Sequence, residues 1–499
     1  MSERFRLALE RQTQNKRSLA MLHSGTESTT CTGTLTYRNV EFTFVFDGEE
    51  LRLIPPKDKA EEIFRQWILT PLTSQKGETS WVFDPANPLL TMEEPLLTGK
   101  CNEDYRVFLF LTRQGERLRF SRSVLFARVA AYFEFDSGES EIARIDFRAP
   151  EIDRVYPSHR AVREEFDEND FSKGVWTLKT RPLAETITEK QTFQVDGVDA
   201  QAGFYVARRM SSALGESPLT LNSVLTFNFE PTDNRAFIFR LWGVAKRFLQ
   251  FLNYRRNVYL PEAKLYATSG LNVGVFRVLD ETGDAEKYAI RNEMCVKQSH
   301  IAGAEGKILT ELAANTLYTR HIPETFRSGR QIDVARFLLI TTAFEWEFTR
   351  FIAELANKKK ETDEIDETEE PLVAIFDKEK RKQEVCLSEK IEKCGDRFDA
   401  IVGDYGRVLY SLNGETFELS DAARRLARQR NAYAHGNLER EFDHKSSLAL
   451  IYLLHLVYAI QLRRHGVNDA NVKKAINDLF DWGMGFDAIA EASPELKSE

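Results

Sequence analysis

The chain has 499 residues, 42% of them apolar, and its 77 acidic against 68 basic side chains give a formal net charge of −9. That length is too great for one typical domain and enough for a sizeable core. The negative balance excludes a global basic field that would attract nucleic acid, so any such contact has to come from a local patch.

Five scattered cysteines, Cys31, Cys101, Cys295, Cys386 and Cys394, have no CxxC spacing. A zinc site or a disulfide framework is therefore not expected, and a reducing compartment fits. Residues 1–30 lack the apolar core of a signal peptide. The most apolar run, 448–462, is shorter than a membrane span and contains His455. A soluble, cytoplasmic protein with no membrane partner is the expectation. No GxxxxGK[ST] loop is present to indicate a P-loop ATPase.

Residues 3–22 have a helical pattern. Short β runs rich in Thr, Val and Phe follow at 32–38, 40–46 and 49–54, with Asp47-Gly48 as a two-residue hairpin signal. A helix is expected at 60–69. A second hairpin is expected from 105–112 and 117–121 around Gln114-Gly115, then a long strand at 124–135. Residues 150–217 are weakly patterned and polar, holding strands, loops or a boundary. Leu225, Phe227 and Phe229 alternate along 224–230. Phe237, Leu241, Val244, Phe248 and Phe251 or Leu252 follow helical spacing over 234–254, an aromatic stripe that reads as core. Strands are expected near 258–267, 273–279 and 288–296. Glu262-Ala263-Lys264 is half of a metal-dependent nuclease pattern. It lacks an upstream acid and reads as an exposed strand edge.

The C-terminal part turns helical, starting between 302 and 328. A long helix is expected over 331–357, a solvated charged linker at 358–370, helical sequence at 372–399 and a short helix at 404–412 broken by Gly414. Ser420 is the expected N-cap of the next helix, with Asp421 in its first turn. A long apolar helix at 446–465 ends at Gly466. Short connections between such helices make a bundle.

Between the last two long helices lies Arg428-Gln429-Arg430-Asn431-Ala432-Tyr433-Ala434-His435-Gly436-Asn437. On a regular helix Asn431 and His435 share a face, whereas Arg430 stands about 100° from Asn431 and about 140° from His435. The three converge only if the helix ends or bends near Gly436, or if a second copy of the chain completes the site. A decoy with the same Arg-to-His spacing, Arg154 to His159, is interrupted by Pro157, which is incompatible with a helix interior.

Arg430-Asn431-Ala432-Tyr433-Ala434-His435 resembles the Arg-Asn-x-x-x-His signature of the HEPN superfamily, helical bundles of which many are metal-independent ribonucleases. The Phe-rich strand, Glu230-Pro231-Thr232-Asp233 and the helix bearing Phe248-Leu249-Gln250-Phe251-Leu252 resemble the N-terminal domain of ApeA-like proteins. Those pair such a domain with a C-terminal HEPN domain in bacterial antiphage defence. The resemblance implies an α+β chain: a β-rich, sensor-like N-terminal region over 1–310, with a subdivision near 150–215, then an all-α HEPN bundle over 311–499. It implies a homodimer or higher even oligomer, RNA (tRNA among the candidates) as substrate, a phage-derived trigger at the N-terminal region, and no cofactor or metal.

His435 is the one motif residue that titrates near neutral pH and suits a general base toward a 2′-OH. Arg430 suits the phosphate, and Asn431 an orienting role. Glu345, or alternatively Glu347, is the expected carboxylate partner of Arg430. Arg424, Arg425 and Arg428 form a candidate basic rim toward RNA, set against a solvated face paired with Asp421. Tyr433 is a candidate base-stacking residue, set against a buried aromatic. The alternative function is a non-catalytic HEPN module that binds RNA or protein. The acidic net charge favours that alternative, and the intact Arg, Asn and His favour the nuclease.

Overall fold

The computed structural model describes residues 30–482 apart from 64, 66, 68, 74–78, 84–95, 104, 113–117, 122–123, 137–140, 166–176, 214, 216, 280–293, 330, 363–365 and 438–441. The expected helix at 3–22, the Gln114-Gly115 turn and most of the expected strand at 288–296 lie outside the described residues. The chain is α+β, with strands dominating its first part and helices its last. It divides into two compact units, Met1–Ser140 with Asn272–Asp280, and Glu141–Leu271 with Glu281–Glu499. The expected boundary at 310/311 falls inside the second unit.

The first unit is built on a closed antiparallel barrel. Its strands are β1 (Cys31–Tyr37), β2 (Val40–Phe46), β3 (Glu50–Ile54), β4 (Leu96–Cys101), β5 (Val107–Thr112) and β6 (Val124–Phe135). The order is β6-β3-β2-β1-β4-β5, and β5 returns to β6. β6 closes the ring because it is long enough to pair twice. Residues 125–128 meet β3 and residues 129–135 meet β5. Period-two alternation sends Leu35, Tyr37, Phe42, Phe44, Phe46, Leu51, Leu53 and Phe110 into the barrel. Gly33 is needed where β1 crosses β4, since a Cβ there would collide with the Lys100 carbonyl.

The tight turn between β1 and β2 is Arg38-Asn39, with φ of 49° and 61° and Tyr37 paired to Val40. Two left-handed residues match the twist of the strands they join. Asp47-Gly48 instead belongs to a three-residue connection, 47–49, in which the Asp47 carboxylate accepts the Glu49 and Glu50 amides.

The second unit carries a sheet ordered β8-β9-β10-β7-β11, from β7 (Ile142–Phe147), β8 (Gln191–Val195), β9 (Val198–Met210), β10 (Leu219–Thr232) and β11 (Glu262–Tyr266), antiparallel throughout. Helix α1 (Arg235–Asn253) starts at Asn234, whose side chain accepts the Phe237 amide at 3.1 Å. It buries its aromatic stripe on one face of the sheet, with Phe248 against Phe204 and Phe237 against Phe229.

The helical part holds α2 (Glu305–Ala313), α3 (Val334–Thr362), α4 (Glu370–Lys380), α5 (Leu387–Arg397), α6 (Asp404–Ser411), α7 (Leu419–Ala434), α8 (His444–Arg464) and α9 (Asp469–Leu479). Helix α8 is its centre and packs against α3, α6, α7 and α9. It has little polar face because it is enclosed on all sides, as a helix apolar all round has to be. By length and composition it is the one described helix long and apolar enough to cross a membrane, and 83% of the relevant window is buried inside the protein.

Several expectations are corrected. The helix at 60–69 is shorter at its end: the α-helical turn Ala60–Ile63 is followed by π-helical Arg65 and Trp67, and Leu69 already begins a strand. Met294–Val296 is not strand. The basic start of the 358–370 run continues α3 through Thr362, since Lys and Glu are good helix formers. The stretch 372–399 is two helices, α4 and α5, separated by a left-handed Lys382. Ser420 is not an N-cap: α7 begins at Leu419 after Glu418, and no side chain caps it.

Candidate active site

The motif occupies the C-terminal end of α7. The helix stops through a pair of terminal hydrogen bonds. Gly436 N–H reaches the Tyr433 carbonyl and Asn437 N–H reaches the Ala432 carbonyl, both at 3.0 Å, with Gly436 at φ +82°. This is a Schellman ending, and it needs a residue that tolerates the left-handed region at Gly436. His435 is thereby the C-cap, the last residue before the chain turns away. The helix end near Gly436, one of the two conditions set for convergence of the motif, is present. The decoy is broken as expected: its helix ends at Val155, ahead of Pro157.

Arg430 projects toward α3, where its Nη2 donates to both Glu345 oxygens at 3.3 and 3.1 Å. Between the two expected partners the geometry selects Glu345. Glu347 accepts instead from Arg464 Nη1 at 2.5 Å, the Tyr318 amide at 2.7 Å and Gln461 at 3.3 Å. Burial pushes the Glu347 carboxyl up, against the pull of the Arg464 charge. Asn431 and His435 are exposed. Among the described residues no hydrogen bond or ion pair joins either side chain to Arg430. One chain therefore brings Arg430 and Glu345 together and leaves Asn431 and His435 facing solvent.

The candidate rim divides. Arg425 is committed to carboxylates: its Nε donates to Asp421 at 2.7 Å and its Nη1 to Asp443 at 3.2 Å. The Asp421 hydrogen bond holds its guanidinium above its ordinary pKa. Arg424 returns to its own helix, donating to the Ser420 carbonyl, and Arg424 and Arg428 are exposed. Tyr433 is withdrawn as a stacking residue. It is 3% exposed and packs edge-on against Phe337, as its position on the inner face of α7 dictates.

A surface groove of about 420 Å³ adjoins the Arg430 pair, lined by Thr342, Glu345, Trp346, Thr349 and Arg350 of α3. Trp346 is 46% exposed and pinned by its indole N–H to the Thr316 carbonyl at 2.9 Å. Sequence reading missed this residue; an aromatic next to the expected Glu345 on a helix was the available signal. Lys264, set aside for want of an acid, has Asp146 directly opposite on the neighbouring strand. Among the described residues no group of three or more His, Cys, Asp and Glu side chains is placed to hold a metal ion. Comparison with protein-family models, with curated proteins and with solved structures returns no match.

Proposed function

We propose that the chain is a HEPN-type endoribonuclease that cleaves RNA without a metal ion, acting in bacterial antiphage defence, with tRNA among its candidate substrates. The observation that carries this reading is that one helix end presents both a guanidinium held by a carboxylate, Arg430 on Glu345, and a separate exposed His435 at the abrupt end of α7. In this reading His435 takes the proton of a 2′-OH. The 2′-oxygen attacks the adjacent phosphorus and the 5′-oxygen leaves with a proton, giving a 2′,3′-cyclic phosphate and a 5′-OH. Arg430, oriented by Glu345, stabilises the charge gathering on the phosphate oxygens. Because a single chain leaves Asn431 and His435 apart from Arg430, a second copy supplies the complementary set, and the active form is a dimer or higher even oligomer.

The test is cleavage of total RNA and of tRNA in EDTA by wild type, Arg430→Ala and His435→Ala, with product ends identified. Cleavage by wild type alone, leaving cyclic phosphate ends, supports the proposal. Equal cleavage by all three removes this site. RNA binding that persists in His435→Ala, with no cleavage by any of the three, favours a binding module.

A further inference from the structure

The sheet of the second unit has two unlike faces. Strand register assigns them without ambiguity, since residues opposite one another share a face. Phe204, Leu225, Phe147 and Ala263 form one cross-strand row, and Phe204 touches Phe248 of α1. That face is the apolar one. The neighbouring rows point the other way: Gly203, Thr226, Asp146 and Lys264 in one, Gln201, Asn228, Arg144 and Tyr266 in the next. This second face is polar, and in these two rows the cations Lys264 and Arg144 outnumber the one carboxylate, Asp146.

Its groups are held in place. The Asp146 carboxylate is 2% exposed and accepts from the Tyr205 hydroxyl at 2.6 Å and the Thr226 hydroxyl at 2.7 Å, with Arg144 Nε at 3.4 Å. Its oxygens are thus occupied within the protein. The Arg144 guanidinium lies 3.7 Å from the centroid of the Tyr266 ring, a planar cation laid on an aromatic face. Lys264 is half-buried, and its ammonium is pushed below its ordinary pKa by burial and by the nearby guanidiniums of Arg148 and Arg209, against the pull of Glu262 and Asp146. Arg148 and Arg209 are exposed. Burial leaves this ammonium short of compensating charge, which an incoming polyanion supplies.

We propose that this face binds single-stranded RNA, with Arg148, Lys264 and Arg209 on the phosphates and the Arg144–Tyr266 stack as the platform for a base. The identity of the polyanion rests on the ribonuclease reading above. The chemistry of the face stands on its own. Unpaired bases offer π-faces to aromatic and guanidinium planes, which a duplex keeps inside.

The experiment measures anisotropy of a labelled single-stranded RNA of about 12 nucleotides binding to the full chain carrying His435→Ala, which prevents turnover. Adding Arg148→Glu with Arg209→Glu is expected to weaken binding at least about 10-fold. It should also reduce the slope of log affinity against log salt by about 1.4, the share of two phosphates on a single strand. Tyr266→Ala is expected to weaken binding about 5-fold or more. Melting curves and circular dichroism check that each variant folds. No binding by the parent, unchanged binding by the folded variants, or equal binding of duplex RNA overturns the proposal. Binding lost in the arginine variants while wild type cleaves nothing upholds this face and removes the nuclease reading.

Discussion

Glu345 and Glu347 stand two positions apart on α3, and each meets an arginine from a later helix. About 200° of helical rotation separates them, so they face opposite ways. Glu347 and Arg464 are 0% and 1% exposed, and every neighbour serves them: the Tyr318 amide, Gln461, and the carboxylates of Glu311 and Glu354, which share Arg464. Glu345 and Arg430 are 31% and 37% exposed. Among the described residues Glu345 is the only partner of the Arg430 guanidinium. The same two residue types therefore make a saturated internal brace in one place and an incompletely engaged cation in the other. A buried arginine surrounded by carboxylates has no capacity left for a ligand. A half-exposed one held by a single carboxylate is oriented, with donors still available to a phosphate.

Breaking the brace should have the largest effect. Glu347→Ala leaves Arg464 buried with a reduced set of partners and the Tyr318 amide without its acceptor. A loss of about 3–5 kcal/mol is expected for a broken buried pair, read as a lower urea midpoint. If stability is unchanged, the brace is not structural. His435→Ala tests the other side of the comparison. It should lower cleavage at least about 100-fold with stability within about 0.5 kcal/mol, since an exposed side chain contributes little to folding. A variant that melts far below wild type would make His435 a structural residue.

Acid should act on the core through its buried histidines. His321 and His455 are fully buried, and burial lowers each to about 3 from the ordinary 6.5. His455 stays neutral beside Phe480 and accepts from the Trp482 indole at 3.3 Å. A depressed folded pKa gives stability that is full above pH 6.5 and is lost as pH falls toward 3. The expected slope is about 1.4 kcal/mol per pH unit for each histidine. Glu311 adds to this lower down. Although burial alone raises it, the hydrogen bond from His465 and the charges of Arg464, His465 and Arg350 bring it to about 2, so its contribution fades from pH 4.5 downward. Urea midpoints from pH 7 to 4 check the sign. A flat profile would contradict the burial of both histidines, and His455→Phe should remove one share of the slope.

How much of this was legible in sequence depended on whether the signal was local. The β6 strand and α1 were readable because alternation and helical spacing are local patterns. The break in α7 at Gly436 was readable for the same reason. The 13-residue β9 was not. Its run includes Gln201, Gly203, Arg208 and Arg209, polar or small residues that face away from α1 or lie near its C-terminal end. The Asp196-Gly197 turn, with both φ positive and Val195 paired to Val198, was the available clue. The choice between Glu345 and Glu347 was beyond one-dimensional pattern. Both sit among apolar residues on α3, and only the packing of α7 and α8 on its two sides decides which arginine each meets. Asp146 was missed as the counterpart of Lys264 because more than a hundred residues separate two strands that lie side by side.

The smallest effect is the one that sharpens the comparison most. Glu345→Gln keeps the shape of the side chain and removes its charge. The pair it breaks is about one-third exposed, and such pairs contribute about 0–1 kcal/mol to stability. Melting should therefore scarcely move, whereas the same change at Glu347 should be plainly destabilising. Cleavage is the separate readout. If Glu345 orients Arg430, its loss should lower turnover about 10-fold at saturating RNA, because the guanidinium is less well placed when charge develops on the phosphate. If Glu345 instead restrains Arg430 from the substrate, the variant should cleave faster or bind RNA more tightly. Unchanged cleavage together with unchanged melting would reduce the Arg430–Glu345 contact to an ordinary surface ion pair, and the likeness between the two glutamates would end at their residue type.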